Sequence, residues 1–178
     1  LCGGAVLSRT AAEHDRAVAQ VSHLPQILSS LLAASLTSAD AADLELAGSG
    51  LRDTTRLADS SHELWGQIIA GNADALRPLL INLQNDLLKL IDGLDQVPVA
   101  QELISQGKRG RGRIPGKHGG QAREYVHVAV VIEDKPGQLA AIFESCAQVK
   151  VNIEDLLIEH TPGQETGLIT LSFAPNDG

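Results

Sequence analysis

The spacing of apolar residues changes once along this 178-residue chain, and that change limits the folds open to it. From Thr10 to about Gln106 apolar residues recur at intervals of three and four, the period of helices that bury one face. From Tyr125 onward they alternate or run together in short stretches, as strands do. Between the two patterns, over 107–124, Lys108, Arg109, Arg111, Arg113, Lys117 and Arg123 sit among glycines with no acidic residue before Glu124. The expected order is an all-helical domain at 10–106, a basic linker at 107–124 and a small α+β domain at 125–178. Residues 1–9, with the short run Ala5-Val6-Leu7, read as the last strand of something that precedes.

The helical part has its own punctuation. Thr10 with Glu13 forms a capping box, and His14, Ala17, Val18, Val21, Leu24, Leu28, Leu32 and Leu36 make one stripe. Pro25 falls inside the stripe, where it frees the carbonyl of Val21 and bends the helix. A second face of Ala19, Ser22, Gln26, Ser29 and Ala33 is small or polar, which lets another backbone approach or lines a cleft. Asp40 caps a shorter helix through Leu46. Trp65 is either core or a stacking surface for a ligand, and its neighbours Leu64, Ile68 and Ile69 favour core. A long helix starts at Asn72 or Asp74, and its wide face, Leu76 to Leu94, suits a dimer interface. Val97-Pro98 ends it, and a last helical stretch runs to Gln106.

The stretch from Gly48 to Ala58 has the makings of an anion site. Gly48 and Gly50 permit a tight or positive-φ entry into a helix, whose N-terminus carries free N–H groups. Arg52 and Arg56 lie four apart on one face, and Asp53 is placed to orient the Arg56 guanidinium. A guanidinium held in that way grips another carboxylate with two parallel hydrogen bonds. The plainer alternative is a surface Asp–Arg pair on an amphipathic helix.

In the last third, Tyr125–Ile132 reads as a strand, and Asp134-Lys135-Pro136-Gly137-Gln138-Leu139 as a turn that starts a helix carrying Leu139, Ile142, Phe143 and Cys146. Val151–Glu159 is a second strand, Pro162–Glu165 a hairpin loop and Gly167–Phe173 a third strand. Strand, helix, strand, strand is the first part of a split βαβ, ferredoxin-like unit, incomplete at the C-terminus. A net charge of −8 argues against nucleic acid as the main partner, and the basic segment is read as a linker lying over acidic helices. Cys2 and Cys146 are expected as free thiols, with no metal site, no membrane span and a cytoplasmic setting. The absence of Met suggests that the chain starts inside a longer protein.

His14-Asp15, then Ser22-His23-Leu24-Pro25, then Gly48-Ser49-Gly50-Leu51-Arg52-Asp53 with Thr55-Arg56-Leu57-Ala58, together with Ile114-Pro115-Gly116 and Asp134-Lys135-Pro136-Gly137, resemble the C-terminal part of prephenate and arogenate dehydrogenases across essentially the whole chain. The resemblance implies a helical dimerisation domain, an ACT-like regulatory domain and, before them, a Rossmann domain ending at 1–9. That missing domain binds NAD or NADP and carries the catalytic His. The implied reaction is oxidative decarboxylation of prephenate, or of its amino analogue arogenate, in tyrosine biosynthesis; these residues alone are expected to be inactive.

By the same resemblance Arg56 grips a substrate carboxylate, Asp53 helps to place it or reaches across the dimer, and His14 and His23 border the cleft, where each could also be a hydrogen-bonded helix residue. Gln26 stands where the family usually has a second His, which bears on the choice between prephenate and arogenate. Asp134, Pro136, Gly137, Gln138, Leu139 and Asn152 are the implied regulatory site, with tyrosine as effector, unless the ACT-like part only dimerises. A non-catalytic amino-acid sensor and a nucleic-acid adaptor using 108–123 are the readings of other classes.

Overall fold

The computed structural model describes residues 6–115, 125–160 and 165–175. The chain divides into two compact units, Leu1–Ala100 and Gln101–Gly178.

The first unit is helical. Thr10 opens α1 (Ala11–Val18) with the expected capping box: its hydroxyl accepts from the Glu13 N–H, and the Glu13 carboxylate accepts from the Thr10 N–H at 2.8 Å. The Thr10 N–H first, and then the Thr10 hydroxyl, which also donates to this carboxylate at 2.8 Å, hold the Glu13 carboxyl below its ordinary pKa. Residues 6–9, expected to end a strand, form no regular element.

The helix continues through Pro25. Ala19–His23 form a π-helical turn, in which the Leu24 N–H reaches back to the Ala19 carbonyl, and α2 (Leu24–Ser35) follows. A proline lacks the donor and collides with the carbonyl four residues earlier; one extra residue in the turn moves that carbonyl aside. The small face of this long helix is the one turned inward. Ala19, Gln26 and Ser29 are buried, whereas Val21 (74%), Leu28 and Leu32 of the apolar stripe are exposed.

Asp40 caps α3 (Ala41–Leu44) through the Ala42 N–H at 2.9 Å, and the helix ends two residues short of Leu46. After Gly48 come α4 (Ser49–Thr55) and a 3-10 turn, Arg56–Ala58. Ser61 caps α5 (His62–Gly71), and Asn72 joins it to α6 (Ala73–Asp92). The α2 helix packs on α4 and the 3-10 turn, and the π turn packs on α6.

Helix α7 (Val97–Arg111) runs past Gln106 into the segment expected as linker. Glu102 accepts from Gln106 Nε2 and from Arg109 Nη2, and Arg109 also bonds Ser105. Contacts at these spacings support a helix across Gly107 and Gly110. The same donors, Gln106 first, hold the Glu102 carboxyl low. Residues 116–124, the remainder of the expected linker, lie outside the described residues.

The second unit runs β1 (Val126–Glu133), α8 (Gln138–Gln148), β2 (Ile153–His160) and β3 (Thr166–Phe173), and its three strands form a sheet ordered β1-β3-β2 with both pairings antiparallel. The outer strands β1 and β2 are therefore parallel with β3 between them, which is the expected split βαβ arrangement. Ile169 and Leu171 of the central strand are its buried core. Most of the expected hairpin loop, 162–164, lies outside the described residues, as does Cys2. Cys146 is a free thiol.

Candidate functional site

Asn72 and His23, far apart in sequence, meet α1 in one cluster. Asn72 closes α5, where its N–H bonds the carbonyls of Ile68 and Ile69, and starts α6, where its carbonyl accepts from Leu76. With its backbone fixed at both ends, its side-chain Nδ2 reaches the Asp15 carbonyl of α1 at 2.8 Å and Nδ1 of His23 at 3.1 Å. The ring of Trp65 stands nearly perpendicular to that of His23, at 83° and 6.0 Å between centroids. Trp65, expected in the core, is half-buried and takes its place beside an imidazole. Beside this cluster a groove of about 600 Å³ between α1 and α6 is lined by Asp15, Arg16, Gln20, Asn72 and Asp74.

Gln26 lies one turn beyond His23 and is only 5% exposed. Its Nε2 donates to the Leu57 carbonyl at 2.7 Å and, more weakly, to Ser30 Oγ at 3.3 Å. Leu57 sits in the 3-10 turn that begins at Arg56, and Ser60 Oγ donates to the same carbonyl at 2.7 Å. Two donors therefore pin the turn next to Arg56. Within the protein, the donor side of Gln26 is spent, and its Oε1 has no partner among the described residues.

Arg56 is exposed, and its guanidinium makes no hydrogen bond or ion pair with any described residue; its carbonyl accepts from the Asp59 N–H. This corrects one expectation: Asp53, also exposed, forms no ion pair with it. The α4 helix stops at Thr55 and Arg56 begins the 3-10 turn, and the two side chains do not meet across their three-residue spacing. Arg52 is turned back toward the Ala47 carbonyl at 3.4 Å. Of the entries that glycine permits there, the positive-φ one is not taken: Gly48 caps α4 with φ −87° in ordinary extended backbone. His14 is mostly exposed, with Nδ1 3.1 Å from the Asp15 carboxylate. The structure thus joins Gln26 to the Arg56 turn and His23 to Asn72; it does not pair Asp53 with Arg56.

In the second unit Gly137 precedes α8 with φ +92°, a conformation suited to glycine, and a side chain there would meet nothing within 4 Å. The Asp134 N–H bonds the Glu165 carbonyl at 2.8 Å, tying this turn to the start of β3, and Lys135 pairs with Glu133. Pro136, Gln138 and Leu139 follow in the same turn and the first residues of α8. Asn152, just before β2, donates to Glu154 at 2.8 Å.

The described residues contain no strand, glycine-rich turn and helix of the dinucleotide-binding kind. Gly48 follows a helical segment, and the β1-to-α8 turn has the single glycine Gly137. No dinucleotide is assigned to them. Among the described residues no group of three His, Cys, Asp or Glu side chains could hold a metal ion, and no helix is long and apolar enough to cross a membrane.

Asn72 and the Leu57 carbonyl were not singled out as site groups by sequence, and Trp65 was weighed as a stacking surface but read as core. Their partners are 31 to 57 positions away, a separation that periodicity does not report.

Residues 10–104 match the family model described as prephenate dehydrogenase, dimerization domain. The chain is 31% identical to the protein described as probable prephenate dehydrogenase NovF of Streptomyces niveus, over 99% of this chain and 52% of that protein. It is 25% identical to prephenate dehydrogenase of Bacillus subtilis, over 93% of this chain and 46% of that protein. Among solved structures, Synechocystis arogenate dehydrogenase superposes with a TM-score of 0.54 at 34% identity, covering 61% of this chain and 42% of that one. The chain spans about half the length of the curated relatives it matches.

Proposed function

Because this chain belongs to the prephenate dehydrogenase family through its dimerisation domain, we propose that it serves the NAD- or NADP-dependent oxidative decarboxylation of prephenate to 4-hydroxyphenylpyruvate. In this reading the helical unit supplies the substrate's carboxylate site and the contact between two copies. The nicotinamide, held outside the described residues, accepts the hydride; the residues of this chain bind and orient.

The observation that carries the reading is the unpaired guanidinium of Arg56 on a turn pinned by Gln26 and Ser60. A planar cation without an internal partner, on backbone that cannot drift, is prepared to take a carboxylate in bidentate fashion. His23 lies one turn before Gln26 and borders the same region, with His14 further along the helix and Asp53 on the preceding helix. In the full-length protein, Arg56→Ala should raise KM for prephenate by at least tenfold, roughly one charge-assisted hydrogen bond or more. The KM for the cofactor should stay within twofold; unaltered prephenate kinetics would remove Arg56 from the site.

Gln26 favours a second reading, arogenate as the substrate. Its donor side is occupied, so what it has left is an acceptor, which suits an ammonium better than a keto oxygen. Turnover of both substrates, with each cofactor, separates the two.

We further propose that the second unit is an ACT-like regulatory domain that takes tyrosine at Asp134 to Leu139 and Asn152. The open space over Gly137 and the start of α8 support that location. Tyrosine should inhibit turnover, and Gly137→Val should abolish the inhibition while leaving uninhibited activity intact.

A further inference from the structure

We propose that Asn72 is a positioning residue that locks His23 in a single tautomer, with the proton on Nε2. The orientation of the Asn72 amide is decided by its other partner. The Asp15 carbonyl oxygen only accepts, so the amide atom 2.8 Å from it is the NH2 group and not the oxygen. That same nitrogen lies 3.1 Å from Nδ1 of His23 and directs its second hydrogen there. A donor at this place requires a lone pair on Nδ1, and a neutral imidazole that keeps its lone pair on Nδ1 carries its hydrogen on Nε2.

The lock does not rely on a freely rotating side chain. Asn72 is tied at its N–H to α5 and at its carbonyl to α6, and its amide is shared with α1. Rotating the ring by half a turn would bring a carbon in place of Nδ1 and forfeit the bond. The edge-on ring of Trp65 adds a steric wall beside it.

Nε2 of His23 has no partner among the described residues, so its hydrogen is a donor held ready for something outside the chain. Such a donor suits an oxygen rich in electrons, a carboxylate or keto oxygen of the substrate, and it cannot accept a proton at that atom. This role rests on the reading that His23 borders the substrate cleft; the lock itself does not.

The test uses the full-length protein with 15N-labelled histidine, at a pH where the ring is neutral, with the His23 signals identified by their loss in His23→Gln. The wild-type ring should show a protonated-type Nε2 and an unprotonated-type Nδ1 with no averaging between tautomers. Asn72→Asp puts an atom that only accepts beside Nδ1, and the tautomer should reverse. An averaged or Nδ1-protonated wild-type ring overturns the proposal without any variant having to fold, and so does an Asn72→Asp ring that keeps its hydrogen on Nε2. Where the tautomer reverses, kcat/KM for prephenate should fall about 10–100-fold, as when a supporting partner of a functional histidine is lost. The cofactor KM should not move. A reversed tautomer with unchanged kcat/KM would remove His23 from the cleft and Asn72 from its positioning role, while Arg56 keeps its own independent test.

Discussion

Ser29 and Gln26 sit three residues apart on the inward face of one helix and lead to opposite expectations. Gln26 is buried with its donor satisfied by Leu57 and Ser30, whereas the Ser29 hydroxyl is buried with no partner among the described residues. An orphaned buried hydroxyl costs free energy that alanine does not, and alanine is also the better helix former. Ser29→Ala should therefore raise the urea midpoint, corresponding to a gain of about 0.5–1 kcal/mol in unfolding free energy; a lower midpoint would show that the hydroxyl is used. Gln26→Leu keeps the volume and removes the donor. Ser60 still serves the Leu57 carbonyl, so the loss of stability should be near about 1 kcal/mol. Its larger effect should be on KM for the acidic substrate, through the turn that carries Arg56. None of this was readable from residue types alone. The sequence marks 26 and 29 as a small, polar face, but which of the two finds a partner is settled by a segment 31 residues away.

Three of the helices, α1, α3 and α5, start on a side-chain cap, the first two as read from the sequence. Thr10 with Glu13, Asp40 and Ser61 each supply the side chain that their first free N–H groups need, and Ser61→Ala should cost about 1 kcal/mol by the usual worth of an N-cap. Glu13 and Glu102 add a pH dependence whose sign is fixed. Both carboxyls are held below their ordinary value, so the contribution is present at neutral pH and is lost as the solution is acidified below about 4.5. Glu13→Gln should flatten that acid limb in denaturation midpoints measured across pH. Strand order was equally legible, because alternation and turn residues announce a split βαβ unit.

Endings and distortions were harder to read. The π turn before Pro25 comes from a steric conflict with more than one resolution, and α7 outruns its apolar pattern because polar pairs sustain it. Arg56 leaves the helix that the Asp53 spacing assumed. In each case a local rule was correct about the residue and silent about the competing geometry.

At the scale of the molecule, the exposed apolar row on α6 dominates. Ile81, Leu87, Leu88 and Ile91 are open to solvent, as is Leu94 just past the helix end, Ile91 at 57%, and an adjacent groove of about 520 Å³ is lined by Ile69, Leu76, Leu80 and Ile81. A patch of this size on a domain of the dimerising family calls for a second copy. The thermal midpoint should accordingly rise with protein concentration, and Ile91→Glu should abolish that rise and yield a monomer in sedimentation. A concentration-independent midpoint for the parent protein would contradict the paired assembly. Symmetry also gives this row an unusual genetic weight. In a pair formed through this row every substitution would enter the assembly twice, so a change that scores as a harmless surface replacement in one chain would become a doubled core lesion. In a cell making both forms, the mixed pair would carry half the damage, and the variant's severity would track its dosage.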